Sequence, residues 1–172
     1  MATIATQAAE VRGFWDKALT PVVRRSKEGA SQTFIAGRFL EDINTGFLQG
    51  NSADNNADQV GIAVRAGQNG AAAGDKVSEY VPIAPGLLLE MNFLAAADAA
   101  RVLAQTDLWV GYQYQNTLTA VVNTIDATTT TPRVFMVQIE LDPGSVKGVI
   151  GDSNARSWVV PTGSLCATSP DV

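Results

Sequence analysis

The sequence contains no histidine, one cysteine and little charge: 17% of its 172 residues are Asp, Glu, Lys or Arg, against roughly 25% in an average globular domain. Each shortage closes off chemistry. Without histidine there is no Ser-His-Asp or Cys-His catalysis, no imidazole metal ligand and no imidazole pH switch. One cysteine makes neither an internal disulfide nor a multi-cysteine zinc site. Cys166 also lacks a histidine base to activate it, so it reads as an inert thiol. Long apolar runs are missing too. Residues 87–89 and 94–97 are the richest, and Glu90 and Asp98 interrupt them. A membrane-spanning helix needs ~20 apolar residues, so no membrane partner is expected. Residues 1–7 are small and polar, unlike a secretory leader.

What is present is a chain with 46% hydrophobic residues, long enough for one domain with a real core. From residue 60 onward the apolar residues alternate with a period of two, the signature of half-buried strands. Residues 60–65, 77–83, 87–93, 108–115, 118–125, 133–141, 146–150 and 157–160 all carry it. Leu87, Leu89, Met91 and Phe93 oppose Leu88, Glu90 and Asn92; Leu108, Val110, Tyr112 and Tyr114 oppose Trp109, Gly111, Gln113 and Gln115. Turn chemistry separates the runs at Ala84-Pro85-Gly86 and Asp142-Pro143-Gly144-Ser145, where proline presets φ and glycine accepts positive φ. Only residues 94–105, rich in alanine, read as a helix between strands. A parallel α/β fold needs many more crossover helices. The pattern predicts a mainly β fold, an antiparallel β sandwich or small barrel over residues 59–172. Residues 1–58 are expected to form an N-terminal arm and linker.

Charge divides the chain unevenly. Residues 1–38 hold six basic and three acidic side chains, net +3, while residues 39–172 hold six basic and fourteen acidic, net −8. An arm of opposite sign to its body points to an acidic protein surface. Nucleic acid is not expected, because no zinc-finger or RNP-like pattern accompanies the basic residues. Within the arm, Ala8, Val11, Trp15, Ala18 and Leu19 recur at steps of three and four, which predicts a short helix over residues 7–19, weakened by Gly13 and ended before Pro21. Phe14 and Trp15 need cover, either from the chain's own core or from a partner's pocket. Phe14, Trp15, Arg24, Arg25 and Lys27 are therefore the candidate partner-binding residues. Residues 128–131, an uncharged threonine run before Pro132, read as an open strand edge and point with the arm to a homo-oligomer, a trimer above all.

Catalytic and ligand-binding signatures are weak throughout. Asp54, Asn55 and Asp58 lack the spacing of a calcium loop, and the glycines of residues 66–75 lack the Gly-Lys-Ser/Thr of a nucleotide cradle. The carboxylate pairs Glu79 with Glu90 and Glu140 with Asp142 have no groove assigned to them. Asp98 with Arg101 reads as a surface helix pair, and Lys76 and Lys147 lie beside turns rather than in the buried sites that activate lysine. No enzyme activity, cofactor or metal is expected.

The stretch from Val77 to Val160 resembles the β-domains of tailed-bacteriophage virion proteins, and most nearly the small capsid decoration (cement) proteins. The resemblance lies in Gly-Asp-Lys-Val at 74–77, Val-Pro-Ile-Ala-Pro-Gly-Leu-Leu-Leu-Glu-Met at 81–91, Thr-Asp-Leu-Trp-Val-Gly-Tyr at 106–112 and Val-Gln-Ile-Glu-Leu-Asp-Pro-Gly at 137–144. It covers about half of the chain, and the long N-terminal region departs from the shortest such proteins. It implies a trimer bound to the major capsid protein on the outer surface of the virion, stabilising the capsid without chemistry or cofactor. A head fibre, tail or minor capsid component is the neighbouring alternative. A small β-domain binding carbohydrate or a host surface is the other, and would show Trp109, Tyr112 and Tyr114 clustered on one exposed face.

Overall fold

A computed structural model describes residues 7–42, 46–51, 59–94, 102–117, 122–126, 129–139, 148 and 150–162. Their strands are β1 (Glu10–Phe14), β2 (Arg24–Lys27), β3 (Phe39–Asp42), β4 (Leu48–Gly50), β5 (Gln59–Ala63), β6 (Val77–Pro82), β7 (Leu87–Leu94), β8 (Gly111–Thr117), β9 (Val122–Asp126), β10 (Val134–Ile139) and β11 (Arg156–Pro161). One sheet runs β1-β7-β11-β10-β8-β9. It closes because β9 returns to pair in parallel with the far end of β7, Phe93 beside Ile125 and Leu94 beside Asp126. Strands β7, β11, β10, β8 and β9 thereby form a five-stranded barrel. The second sheet is antiparallel, in the order β2-β6-β5-β3-β4. It curls until Glu28, just past β2, bridges to Leu48 of β4. The mainly β fold required by the period-two alternation is what forms.

One core serves both sheets. Leu87, Leu89, Met91 and Phe93 of β7, Tyr112 and Tyr114 of β8, Ile125 of β9, Val134 and Met136 of β10 and Val159 of β11 fill the barrel; Phe39, Ile62, Val81 and Ile83 reach it from the second sheet. Two edge-to-face ring pairs fasten the core, Phe93 on Tyr112 within the barrel at 5.1 Å and Phe39 on Tyr114 between the two sheets at 4.7 Å. Each contributes roughly 0.5–1.5 kcal/mol beyond its buried area. A smaller cluster, Phe34, Leu40, Leu48 and Ala63, sits on the other face of the second sheet. The Ala84-Pro85-Gly86 turn forms as its chemistry dictates: Leu87 N donates to Ala84 O, and Gly86 takes φ 80°. In β10 a bulge at Val137 breaks the strict alternation. Val134 and Met136 face the core, and beyond the bulge Ile139 does so while Gln138 is exposed. An extra residue resets the parity of a strand.

The helix expected over residues 7–19 does not form. Residues 10–14 are β1, antiparallel to β7 with Glu10 beside Glu90 and Phe14 beside Leu87. Gly13, at φ 126°, lies outside the helical region, and the register slips between Val11 and Gly13. The slip sets Val11 and Phe14, three apart, both against the core, while Trp15 and Leu19 of the expected stripe stay exposed. Tertiary pairing with a central strand outweighs a weak local preference. Strands from both sides of the 58/59 boundary share the second sheet, since β2 pairs with β6 and β3 with β5. Gly37 (φ 79°) permits the N-terminal segment to lie close: a Cβ there would stand 2.3 Å from Ala9 O.

Several expectations lie wholly or partly outside the described residues: the loop at 52–58, most of the alanine-rich segment, the turn at 142–145, the strand over 146–150, Asp98, Arg101, Glu140, Lys147 and Cys166. Residues 105–107, at the end of the alanine-rich segment, form a 3-10 turn. Thr129, Thr130 and Thr131 are exposed and belong to no strand.

Candidate interaction surface

Strand β1 is held by charge as well as by backbone. Glu90 of β7 and Arg156 of β11 are buried, and Arg156 Nε donates to Glu90 Oε1 at 2.8 Å. Arg156 also donates to Ala8 O (3.1 Å), Glu90 O (3.0 Å) and Asn92 Oδ1 (3.3 Å). Arg12 of β1 bonds the other oxygen of Glu90 and, at 2.7 Å, Glu10. Two arginines and two glutamates thus neutralise one another across three strands. This arrangement suits a buried charge, which is costly without a partner. Beside it an open groove of about 350 Å³ runs between residues 8–11 and β5. Its walls are small and apolar, and its one ionisable group, Glu10, is already paired.

Past β1 the chain presents its apolar side chains outward. Trp15 N donates to Gly86 O at 2.7 Å, which fixes Trp15 at the Pro85-Gly86 turn. Asp16 then shapes a tight turn, accepting from Ala18 N at its Oδ1 (3.0 Å) and from Leu19 N at its carbonyl (3.0 Å). Trp15 is 56% exposed, Leu19 53%, Val22 66% and Val23 51%. Trp109, 59% exposed, meets Trp15 edge to face at 6.3 Å. Its backbone is anchored to β10 through Met136 O and takes φ 63°. A bulky residue in that left-handed region costs roughly 1–2 kcal/mol. Strain retained at an exposed tryptophan motivates a functional reading. Half of the large hydrophobic residues exposed among the described residues lie in 15–23, and Trp109 adjoins them. Such concentrations mark interaction sites.

The basic stretch follows directly. Arg24, Arg25 and Lys27 are exposed on β2, an outer strand of the second sheet. Arg25 bonds Glu79 Oε1 at 2.8 Å, with Arg65 at 3.8 Å from the same oxygen. Glu28, next in sequence, is fully buried and organises residues 66–76. Its Oε2 accepts from Gln68 N (2.9 Å), its carbonyl from Gly74 N (2.8 Å), and its own N–H goes to Lys76 O (2.9 Å). The glycine-rich stretch is thus wrapped on a carboxylate, while Glu28 Oε1 has no hydrogen-bond partner. Glu28→Gln keeps the acceptor for Gln68 and removes the buried charge, so stability is expected to hold or rise. Glu28→Ala orphans the Gln68 amide and is expected to cost about 1–3 kcal/mol. Urea melts, with hydrogen exchange at Gln68, check both.

Of the residues singled out in the sequence, the fold brings Trp15 together with Trp109, and Arg24, Arg25 and Lys27 onto one strand. Phe14 is half-buried and packs on the core. Tyr112 and Tyr114 are buried, so Trp109 faces solvent without them. The alternation had already set Trp109 on the opposite side from those tyrosines. Glu79 and Glu90, weighed as a carboxylate pair, sit on different strands and are each engaged by arginines. Among the described residues no cluster of three or more His, Cys, Asp or Glu could hold a metal ion, and no helix is long and apolar enough to cross a membrane. No family model, curated protein or solved structure matches the chain.

Proposed function

We propose that this protein is a non-enzymatic virion structural protein, a decoration (cement) protein that binds the outer surface of a tailed-bacteriophage capsid and stabilises it. Its partner in this reading is the major capsid protein, and it acts as a trimer. The observation that carries the docking half is the exposed Trp15–Trp109 pair, continuous in sequence with Leu19, Val22, Val23 and the basic β2. Tryptophan and arginine are the residues most enriched where binding energy concentrates. The capsid half comes from the sequence resemblance over residues 77–160. The mechanism is linkage: a protein that binds only the assembled shell stabilises it by mass action, and symmetric copies add avidity. A second reading, a module that binds carbohydrate or a host surface, draws on the same tryptophan pair, since an exposed aromatic face also stacks on ligands.

The test is sedimentation with purified particles of the encoding phage that lack the protein. The expected result is co-sedimentation at a fixed stoichiometry and a higher temperature of shell disassembly. At a free concentration one hundred times Kd, linkage supplies about 2.7 kcal/mol per site. Absence from purified virions by mass spectrometry, together with no co-sedimentation, overturns the proposal. Retention on immobilised glycans without particle binding favours the second reading.

A further inference from the structure

We infer that the outer edge of β2 captures an extended acidic segment of a partner protein as an added strand. The inference deepens the attachment reading, on which it rests for the existence of a protein partner, by naming what the basic strand recognises. The register decides which backbone groups are available. Glu28 N donates to Lys76 O, and from that pair the β2–β6 ladder steps back through Lys27 beside Val77, Ser26 beside Ser78, Arg25 beside Glu79 and Arg24 beside Tyr80. Hydrogen-bonded and non-hydrogen-bonded pairs alternate in an antiparallel ladder. Ser26 and Arg24 therefore direct their backbone groups to β6, and Lys27 and Arg25 direct theirs away from it. Glu79, opposite Arg25, agrees: its carbonyl turns to β5 and accepts from Val64 N at 2.8 Å.

The next outward residue, Gly29, gives its N–H to Leu48 O at 2.8 Å, which closes that end of the edge. The opposite edge of the sheet, β4, is sealed by that bond and by Gln32, whose Oε1 accepts from Gly50 N at 3.0 Å. The parallel bridge of Glu28 with Leu48 also engages the Lys27 carbonyl, through Leu48 N. Among the described residues, what stays open on β2 is the outward N–H of Lys27 and the outward N–H and carbonyl of Arg25, entered from the exposed Val22 and Val23. An incoming strand meets the Lys27 N–H and both peptide groups of Arg25 and lies beside the exposed side chains of Arg24, Arg25 and Lys27. Charge selects the occupant. A second copy of β2 would set cations against cations, and like charges directly opposite are destabilising. A segment with Asp or Glu at alternate positions pairs with them, adding main-chain hydrogen bonds to the attraction.

The test uses the full chain and a synthetic peptide, Thr-Glu-Val-Glu-Val-Glu-Thr, with a lysine-for-glutamate version as control. The expected result is binding of the acidic peptide alone, with the Arg25 and Lys27 amides newly protected from hydrogen exchange. Lys27→Pro removes one outward N–H and leaves the β6 ladder whole, as proline permits on an edge strand. It is expected to weaken binding by about tenfold, and Lys27→Gln, which keeps the N–H, by less. Binding without protection at Arg25 and Lys27, equal binding of the lysine peptide, or Lys27→Pro binding as tightly as the parent each overturns strand capture. The protection pattern of the parent protein decides the matter even where Lys27→Pro fails to fold. No particle enters the assay, so its failure leaves the capsid reading standing, and failure of particle binding leaves the peptide result standing.

Discussion

Replacing Arg156 with methionine is expected to lower stability by about 3–5 kcal/mol, the usual cost of removing one partner from a buried ion pair. For a domain of this size that corresponds to a fall in Tm of roughly 6–20 °C. Methionine fills much of the same volume, so the loss is one of partners rather than packing. Glu90 loses its donor at Oε1, and the carbonyls of Ala8 and Glu90 and Oδ1 of Asn92 each lose a hydrogen bond. Arg12 still reaches the other oxygen of Glu90, but it lies at the rim, its side chain 29% exposed. Adding Glu90→Met removes the carboxylate that has lost its Arg156 partner and is expected to recover part of the loss. It does not recover all of it, because the hydrogen bonds that Arg156 gives to the carbonyls of Ala8 and Glu90 are still lost. Thermal melts of the parent, the single variants and the double variant measure the coupling directly. A fall below about 1 kcal/mol for Arg156→Met would mean that the quartet behaves like a surface pair.

The second large effect is on binding. Trp15→Ala combined with Trp109→Gly is expected to weaken attachment to particles by about 30-fold or more, equivalent to the roughly 2 kcal/mol that defines a hot spot. Folding should barely change. Both rings are more than half exposed, and glycine at 109 relieves roughly 1–2 kcal/mol of left-handed backbone strain while forfeiting about 0.5–1.5 kcal/mol of ring contact. The expected outcome is a Tm within a few degrees of the parent beside a large loss in co-sedimentation. A loss of binding that tracks a loss of folded protein would show the pair to be structural. Deleting residues 1–30 cannot substitute for these variants. It removes β1 and β2, one strand from each sheet, and exposes the partners of the charge quartet.

How far the sequence could be read differs from element to element. The alternation in residues 87–93 is strict because β7 has its apolar positions at Leu87, Leu89, Met91 and Phe93, all fully buried; period two follows from strand geometry alone. Strands β2 and β4 carry no such mark. Arg24-Arg25-Ser26-Lys27 is an outer strand with little apolar burial, and Leu48-Gln49-Gly50 is three residues long. Residues 10–14 failed for the opposite reason. The steps of three and four joined Val11, which packs on the core, to Trp15 and Leu19, which lie past the strand and are exposed. For the interaction surface, the basic run and Trp15 were legible as a cluster in the chain. Trp109, 94 positions away, joins Trp15 only through the placement of β1 and β10 on the barrel.

Composition alone excluded histidine and disulfide chemistry, and local patterning set the β class and the proline-glycine turn at 84–86, because these depend on residue type and on neighbours a few positions apart. The closure of the barrel, the strand at 10–14 and the pairing of Arg12 and Arg156 around Glu90 were decided by the tertiary structure. The partners there stand 78 and 66 residues apart. Which arginine meets which glutamate, and which tryptophan stays in solvent, depends on register between distant strands, and register is a property of the assembled sheet.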